Sequence, residues 1–358
     1  MGGNRELIKV ISGEIARNGP VSFRWFMEQA LYHPQFGYYS SLKARIGREG
    51  DFFTNVSVGP LFGRLIASQF VEMWEQLGRP HSFSIVEQGA NNGDFAADVL
   101  EALRKTELFP HLNYQIIEPV AALREQQARR LEGKPCVRWV QSIEGLEPFC
   151  GVHFSNELLD AMPVHLAHFS GGIWNERLVD CDNGELVFVD RPGAFPELPQ
   201  IMPEGYQTEV NREALRWMDA VASKITRGFV LAIDYGYPRE DFYSPERGAG
   251  TLSCYSNHRK SANPLENVGE TDITAHVEFS SVIERAGAQG ISVCGFTDQH
   301  RYLVSLARPL LLAMENDPKA LRGFRTLMHP AFMGSAFKVL ALQKGVEAIL
   351  RGFQSRRS

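Results

Sequence analysis

Cysteine is scarce in this sequence of 358 residues, and neither a long apolar segment nor an excess of positive charge is present. The five cysteines form an odd, widely spaced set without a Cys-x-x-Cys pair, which excludes a disulfide framework or a cysteine-rich zinc site. Such thiols are typical of a reducing compartment, and we expect a cytoplasmic protein without a metal site. No run of about 18 apolar residues occurs, so no membrane-spanning helix is expected.

The charge balance disfavours one large class of partner. Lys and Arg number 37 against 42 Asp and Glu, which gives a net charge of −5. General nucleic-acid binding requires clustered cations, so we do not expect it. The hydrophobic fraction of 44% and the charged fraction of 22% are typical of globular proteins. The length fits two units or one enlarged domain, and nothing indicates the oligomeric state.

The first 80 residues have the pattern of helices. Leu7, Ile11 and Ile15 recur at helical spacing, and Ser22 precedes a second apolar series in the position of a helix cap. A third helix is expected over residues 61–77. We therefore predict a helical N-terminal segment over 1–80 that covers the cleft of a larger domain over 81–358.

Short apolar runs then alternate with helical segments. The expected buried strands lie at Phe83–Glu87, Tyr114–Glu118, Val137–Val140, Gly151–Ser155 and Phe229–Asp234. Strands that are apolar on both faces and separated by helices are typical of a parallel sheet covered on both sides. The fold class predicted is therefore α/β, with a mostly parallel, doubly wound, Rossmann-like sheet.

Two segments interrupt the alternation. Residues 164–205 predict a β-hairpin insertion, because Gly171-Gly172 and Asn183-Gly184 separate stretches of alternating polarity as hairpin turns do. Residues 236–272 are rich in Gly, Pro and Ser, and a loop of that length in a compact domain is usually functional. A helix is expected over Thr274–Ala286, directly after this loop.

A turn between the first strand and its helix is the most informative motif. It reads Glu87-Gln88-Gly89-Ala90-Asn91-Asn92-Gly93, and glycines there permit a sharp turn and close approach of a ligand to the backbone. The following helix N-terminus adds a positive pole. Glu118 ends the next strand, where an acid in doubly wound folds accepts hydrogen bonds from ribose.

The form of the turn discriminates between nucleotide cofactors. A dinucleotide site requires Gly-x-Gly-x-x-Gly beside the pyrophosphate, and Glu87 next to a pyrophosphate would be repulsive. The same acid facing the ammonium of a methionine moiety would be favourable, so we predict S-adenosylmethionine. The turn after the third strand, with Ser142, is expected near adenine. A dehydrogenase with the same sheet remains the alternative.

Several motifs of unusual composition resemble the MidA-like family of S-adenosylmethionine-dependent methyltransferases, which includes a mitochondrial complex I assembly factor. They occur in the family's order at Gly19-Pro20, His33-Pro34, Gly37-Tyr38-Tyr39, Gly50-Asp51-Phe52-Phe53-Thr54, Phe62-Gly63, Ser155-Asn156-Glu157-Leu158-Leu159-Asp160-Ala161, Asp234-Tyr235-Gly236-Tyr237, Gly250-Thr251-Leu252 and Asp272-Ile273-Thr274-Ala275-His276. The resemblance covers most of the chain. It implies a class I methyltransferase fold and a protein substrate methylated on arginine, with a link to respiratory complex I.

The resemblance, joined to the position of each motif, yields a set of expected site residues. Asn156, Glu157 and Asp160 follow the fourth strand, and the carboxylates of Glu157 and Asp160 could orient a guanidinium; helix capping is the alternative. Asp272 and His276 would line the substrate pocket, with Tyr235; a helix cap with a structural histidine is the alternative for the first two. The expected cofactor-binding residues are Glu87, Gly89, Asn91, Gly93, Glu118, Ser142 and Thr54.

The chain departs from the family pattern at two places beside the expected cofactor. Asn91 replaces the middle glycine of the turn, and Asn55-Val56-Ser57 replaces Ser-Pro-Glu after Thr54. Asparagine tolerates left-handed backbone angles better than most residues, so Asn91 is compatible with binding. The departures also motivate a second alternative, a non-catalytic cofactor-binding scaffold.

Overall fold

The computed structural model describes residues 2–41, 55–256, 259–261, 263–310, 318–328 and 336–354. The chain divides into two compact units. The accessory unit comprises Met1–Phe52, Leu159–Arg216 and Tyr237–Ser280, and the sheet unit comprises Phe53–Leu158, Trp217–Gly236 and Ser281–Ser358. This division differs from the expected boundary at residue 80, because residues 53–80 fall in the sheet unit.

The helices and strands are numbered here in chain order. The helices are α1 Arg5–Asn18, α2 Phe23–Tyr32, α3 Leu61–Gln76, α4 Asp94–Leu103, α5 Ala121–Arg130, α6 Arg212–Lys224, α7 Arg239–Phe242, α8 Phe279–Ala288, α9 Gln299–Ala307 and α10 Pro318–Met328. The strands are β1 Val21–Ser22, β2 Phe83–Gln88, β3 Leu112–Ile117, β4 Val137–Val140, β5 Phe149–Asn156, β6 His165–Ser170, β7 Ile173–Asp182, β8 Glu185–Pro192, β9 Gln207–Val210, β10 Ile225–Tyr237, β11 Ser253–Ser256, β12 Arg259–Ser261, β13 Asp272–Thr274, β14 Val277–Glu278, β15 Ser292–Asp298 and β16 Phe337–Lys344. None of the helices in the described ranges is long and apolar enough to cross a membrane.

The sheet unit is built on strands in the order β15-β16-β10-β5-β2-β3-β4. Strands β10, β5, β2, β3 and β4 run parallel to one another, whereas β16 is antiparallel to both β10 and β15. The chain enters the sheet at its centre with β2, moves outward through β3 and β4, and returns to β5 on the other side. This order confirms the mostly parallel, doubly wound sheet expected from the apolar runs.

Helix α3 belongs to the core of the sheet unit. Its side chains Phe62 and Phe70 are fully buried, and Phe70 contacts Phe154 of β5 edge to face. Gly63 allows the close approach of α4, because a Cβ at Gly63 would lie 2.6 Å from Cβ of Asp98. Burial of this apolar face explains why residues 61–76 pack with the sheet although the sequence pattern grouped them with the N-terminal helices.

The accessory unit combines α1 and α2 with antiparallel strands. Strands β1, β7, β6 and β9 form one sheet, with β8 paired to β7, and β12, β11 and β13 form another. Both expected hairpin turns are present, and Gly171, Gly172, Asn183 and Gly184 take φ values of 62°, 78°, 49° and 84°. Ser22 caps α2 by accepting a hydrogen bond from the Trp25 N–H, as expected.

Two expected elements differ in the structure. The stretch expected to begin a helix at Thr274 instead forms β13 and β14, and α8 begins at Phe279. The backbone N–H of Ala275 donates to the Asp160 carbonyl, and that of His276 donates to Oγ1 of Thr251. These tertiary hydrogen bonds take the donors that a helix would use, so helix periodicity in the side chains does not decide the backbone here.

The loop expected over 236–272 is partly ordered into secondary structure. Helix α7 and strands β11 and β12 lie within it. After the insertion, β9 pairs with β6, and α6 begins at Arg212 directly after it.

A buried histidine is the least expected polar group of the sheet. His153 on β5 is fully buried, and its Nε2 lies 3.3 Å from Oε1 of Gln88, which also accepts a hydrogen bond from the Trp217 indole. Nδ1 of His153 is buried without a hydrogen-bond partner among the described residues. Burial lowers the pKa of His153 from 6.5 to about 3, because charging the ring in this environment is unfavourable.

We expect His153 to make the protein acid-labile. The unfolded chain binds a proton at this residue below its ordinary pKa and the folded chain does not, so stability falls as the pH drops below 6.5 and levels off near 3. Between pH 7.5 and 5 the loss should be about 2 kcal/mol. Urea unfolding at both pH values should show a smaller loss for His153→Gln than for the wild type. The exposed His81→Gln is the control, and equal losses in all three proteins would contradict the assignment.

Candidate functional site

The carboxyl ends of β2 and β5 meet at one edge of the sheet. The two strands are parallel neighbours, with Glu87 opposite Phe154 and Gln88 opposite Ser155. The turn after β2 and the loop after β5 therefore leave the sheet side by side. A Cβ at Gly89 would lie 3.5 Å from a Leu158 methyl group, so the turn and the loop are packed closely. Ligands of doubly wound sheets bind at such carboxyl ends.

The turn after β2 has three residues with left-handed backbone angles. Gly89, Asn91 and Gly93 take φ values of 83°, 47° and 85°. Gly93 is the N-terminal cap residue of α4, and Asn92 accepts a hydrogen bond from the Asp94 N–H through Oδ1. Asn91 thus adopts the conformation that the family's glycine provides, which agrees with the expectation that asparagine is tolerated there.

Glu118 lies just beyond β3 and is nearly fully buried. Its Oε1 accepts from the Val120 N–H at 3.0 Å, and its Oε2 accepts from Nε2 of Gln127 at 2.9 Å. Burial raises the pKa of Glu118, while these hydrogen bonds oppose the increase. A preorganised, buried carboxyl at this edge is suited to accept hydrogen bonds from ribose hydroxyls, and that role stays a prediction.

Gln127 of α5 connects three parts of the site and was not expected from the sequence. Besides Glu118, its Nε2 donates to the Asn91 carbonyl at 2.7 Å, and its Oε1 accepts from the Trp139 indole at 2.9 Å. The side chain is fully buried. The sequence gives no signal for Gln127, because α5 is predominantly polar and has no apolar stripe that would show which of its side chains face the interior.

Glu87 is held inside the sheet by a tyrosine. The Tyr114 hydroxyl donates to Oε2 of Glu87 at 2.6 Å, and burial raises the pKa of Glu87 from 4.5 to about 7, with the Tyr114 hydrogen bond opposing this. Near neutral pH the carboxyl is therefore only partly ionised. Its expected contact with the methionine ammonium stays a prediction, and a cation there would favour the ionised form.

The remaining expected cofactor residues are Ser142 and Thr54. Ser142 follows β4 at the same carboxyl edge, and its side chain hydrogen-bonds Glu144 and so lowers the pKa of that residue. Thr54 lies outside the described residues. The structure therefore brings Gly89, Asn91, Gly93, Glu118 and Ser142 to strand ends of one sheet.

Glu157 directly follows β5 and has a left-handed backbone, with φ of 54°. Its N–H donates to the Ile233 carbonyl, and the next N–H, of Leu158, donates to Oδ2 of Asp234. A non-glycine residue in this conformation is strained, and such strain is concentrated at functional sites. Asn156 donates from Nδ2 to Oε1 of Glu157 at 2.9 Å. The side chain of Glu157 is therefore set by the backbone and by its neighbour.

Asp234 and Tyr235 directly follow the part of β10 that pairs with β5, which ends at Ile233. Asp234 is buried, and besides Leu158 it accepts from the Tyr235 N–H at 2.9 Å. The Tyr235 ring lies against Phe337 with centroids 3.9 Å apart. Asp234 was expected from the sequence only as part of a motif. Its position at the end of an apolar strand could have indicated that it holds a neighbouring loop at this edge of the sheet.

The accessory unit contains the other expected acids. Asp160 and Asp272 are buried there, and the Tyr39 hydroxyl donates to Oδ1 of Asp272 at 2.8 Å. Burial, followed by the charges of Asp272 and Asp160, raises the pKa of Tyr39 well above its ordinary value. Asp272 lies on β13 and not at a helix start, so the helix-cap alternative for this residue is wrong.

His276 is fixed by a second buried acid of the accessory unit. Glu209 accepts hydrogen bonds from the backbone and hydroxyl of Thr251, and the same hydroxyl accepts from the His276 N–H at 2.9 Å. The His276 ring lies 5.4 Å from the Tyr237 ring. Glu209 was not expected, because its partners lie some forty residues away in the chain.

The fold and the site together define an S-adenosylmethionine-dependent methyltransferase. The sheet has five parallel strands and an antiparallel β16. The turn after β2 has no Cβ at Gly89 and Gly93, so a ligand can approach its backbone, and Glu118 offers a buried carboxyl as a hydrogen-bond acceptor. These features fit the cofactor. A family model for S-adenosyl-L-methionine-dependent methyltransferases matches residues 65–297, well over half of the chain. The chain belongs to this family, the resemblance seen in the motifs is confirmed, and the cofactor is S-adenosylmethionine.

Solved and curated relatives agree with this assignment. A COG1565 superfamily protein from Burkholderia thailandensis, crystallised with S-adenosylhomocysteine, is 34% identical with a TM-score of 0.89. The match covers 97% of this chain and 94% of that protein. The Drosophila melanogaster homologue of protein arginine methyltransferase NDUFAF7, mitochondrial, is 28% identical over 97% of this chain and 86% of its own. The human protein of that name is 26% identical over 94% and 83%.

The comparison corrects one expectation. The cytoplasmic location inferred from the cysteines is contradicted, because these curated relatives are named as mitochondrial proteins. Scarce, unpaired cysteines report a reducing environment and do not distinguish one reducing compartment from another.

We predict that Glu118→Ala weakens binding of S-adenosylmethionine roughly tenfold or more, because a charge-assisted hydrogen bond is worth ~1.5–3 kcal/mol. Calorimetric titration with the cofactor measures the effect. The control is Glu125→Ala, which removes an exposed carboxylate from the same helix region. Unchanged affinity in a folded Glu118→Ala protein would refute the ribose role.

We predict that Gly93→Val abolishes cofactor binding while the protein stays folded. Gly93 has φ of 85°, and a Cβ there already lies 3.5 Å from Gln127, so a branched side chain would displace the group that anchors the turn. Gly133→Val is the matched control, since Gly133 has φ of 76° with nothing within 4 Å of its Cβ. Circular dichroism verifies folding, and normal binding by the Gly93 variant would mean that the turn is purely structural.

Proposed function

We propose that this methyltransferase methylates arginine in a protein substrate and that Glu157 is the residue that orients the acceptor. The observation that carries the proposal is the strained, left-handed Glu157 at the carboxyl end of β5, directly beside the glycine turn after β2. The conformation is maintained by the Ile233 carbonyl and by Asp234.

The chemistry explains why a carboxylate is needed. Bound S-adenosylmethionine supplies an electrophilic methyl group. A guanidinium that enters this edge of the sheet would lose its bound water. Leaving its charge unpaired there would cost ~3–5 kcal/mol, so a negatively charged partner is required. Glu157 would accept the guanidinium N–H groups and direct one nitrogen at the methyl group, whose bond to sulfur breaks as its bond to nitrogen forms. The proton of that nitrogen would pass to solvent, and Glu157 would stabilise the remaining positive charge.

The names of the relatives support the choice of substrate. The curated proteins that match nearly the whole chain are called protein arginine methyltransferases. The family resemblance extends the proposal to a respiratory complex I subunit as the substrate protein. Asn156 and Asp160 are retained with Glu157 as proposed catalytic residues. Asp272, His276 and Tyr235 are retained as proposed substrate-pocket residues. The buried Asp272–Tyr39 hydrogen bond is a further preformed acidic feature of the accessory unit.

We predict that Glu157→Gln lowers methyl transfer roughly a hundredfold, the scale seen when one preorganised electrostatic group is removed. Its affinity for S-adenosylmethionine should be unchanged, because the cofactor residues lie on the turns after β2, β3 and β4. The assay is transfer of a radiolabelled methyl group into a lysate from cells that lack the protein, followed by acid hydrolysis and amino-acid analysis.

The control is Glu147→Gln, which neutralises an exposed glutamate of the sheet unit. Label recovered as methylarginine supports the substrate assignment, whereas label on lysine, nucleic acid or a small molecule contradicts it. Full transfer by Glu157→Gln would remove the role of that residue even if methylarginine is the product.

A further inference from the structure

A row of three side-chain amides leads to Glu157 in the sheet unit. Gln299 donates from Nε2 to Oδ1 of Asn55 at 2.8 Å, and Asn55 donates from Nδ2 to Oδ1 of Asn156 at 2.9 Å. Asn156 in turn donates to the Glu157 carboxylate at 2.9 Å. We call Gln299, Asn55 and Asn156 the amide relay. Asn55 and Gln299 are fully buried.

The charge of Glu157 fixes the direction of every hydrogen bond in the relay. An ionised carboxylate only accepts, so Asn156 must present its NH₂ group to Glu157 and its oxygen to Asn55. Asn55 must then donate to Asn156 and accept from Gln299. Each amide is oriented by the one before it, and such chains polarise one another in a low-dielectric interior.

The far end of the relay lies on a rigid element. Gln299 is the first residue of α9, which is capped by Asp298 through the Arg301 N–H. Oε1 of Gln299 is buried and has no hydrogen-bond partner in the part of the chain that the structure describes. An amide that served only to satisfy its own polar atoms would not leave this oxygen unpaired at a cost of about 1–3 kcal/mol.

We propose that Asn55 and Gln299 are positioning residues for methyl transfer, acting through Asn156 to hold the Glu157 carboxylate in one orientation. The proposal rests on the role given to Glu157 in the proposed function. Without Asn55, the oxygen of Asn156 loses its donor, so the Asn156 amide can rotate and release Glu157. Misplacement of one orienting group by a fraction of an ångström is enough to reduce transfer.

The relay is distinguished from simple core packing by its effect at a distance. If Gln299 only anchors α9, Gln299→Leu lowers stability and changes Asn55 but leaves Asn156 and Glu157 as they are. If the relay positions Glu157, the same substitution changes the hydrogen bond of Asn156, two side chains further on. Asn55→Leu, which interrupts the relay in its middle, is the second variant in case the first does not fold.

The first readout does not depend on any substrate. In full-length protein labelled with ¹⁵N-asparagine, the Asn156 side-chain amide is assigned by its disappearance in Asn156→Asp. We predict a downfield proton shift in the wild type from donation to a carboxylate, and loss of that shift in Gln299→Leu, Asn55→Leu and Glu157→Gln. The control is Gln343→Leu, which removes a buried amide of the same unit that accepts from the Ala348 N–H outside the relay.

The second readout is a double-variant cycle in the methyl-transfer assay. Gln299→Leu should lower kcat roughly tenfold with unchanged affinity for S-adenosylmethionine. In the Glu157→Gln background it should cause no further loss, because the residue it positions is gone, whereas independent structural effects would multiply. An unchanged Asn156 signal with multiplicative losses would overturn the relay.

The two proposals fail in different ways. If Glu157→Gln transfers methyl groups at the full rate, the role of Glu157 fails, and with it the positioning role of the relay. If Glu157→Gln is impaired but Gln299→Leu and Asn55→Leu are indistinguishable from Gln343→Leu in both readouts, only the relay inference fails. Loss of the Asn156 shift together with a non-multiplicative cycle supports both.

Discussion

The parallel pairing of β2 with β5 is the constraint on which the candidate site depends. Because Gln88 lies opposite Ser155, the glycine turn and Glu157 begin at the same height on the sheet. The third member is β10, which carries Asp234 to the same edge, where it binds the Leu158 N–H and holds the loop after β5. The position of the glycine turn beside Glu157 thus depends on the register of β2 with β5, and the position of Asp234 depends on that of β10 with β5. A slip of one residue in either pairing would separate the groups that it brings together.

Buried polar groups hold the turns and loops at this edge of the sheet in place. Gln127 hydrogen-bonds the Asn91 carbonyl, Glu118 and Trp139, so one side chain holds both the turn after β2 and the Glu118 carboxyl after β3. The amide relay likewise connects Glu157 to distant parts of the chain through buried hydrogen bonds. Removing one member of such a network leaves its partners buried without a hydrogen bond, at the full desolvation cost. This is why single substitutions should affect binding or catalysis more than their own contacts indicate.

The parallel part of the sheet could be predicted from the sequence because its five strands are short, largely apolar runs. The glycine turn could be predicted because left-handed positions select Gly and Asn. The anchors could not. Gln299 lies 244 residues from Asn55 in the chain, and Gln127 lies 36 from Asn91, so no local pattern connects them. The expected helix at Thr274 failed for a related reason: Ala275 and His276 donate to distant acceptors, and tertiary hydrogen bonds override side-chain periodicity.

The two asparagines among the departures from the family pattern have a physical explanation in the structure. Asn91 has the left-handed backbone that a glycine would have, and its carbonyl is held by Gln127 at 2.7 Å, which offsets part of the ~1–2 kcal/mol that the conformation costs a residue with a Cβ. Asn55, where the family has serine, is long enough to reach Gln299 and Asn156 at once through its two amide atoms. A serine hydroxyl is shorter and carries one hydrogen, so the same bridge would require a different partner at 299. Both asparagines are therefore integrated into the hydrogen bonding of the site, and neither gives a reason to prefer a non-catalytic scaffold.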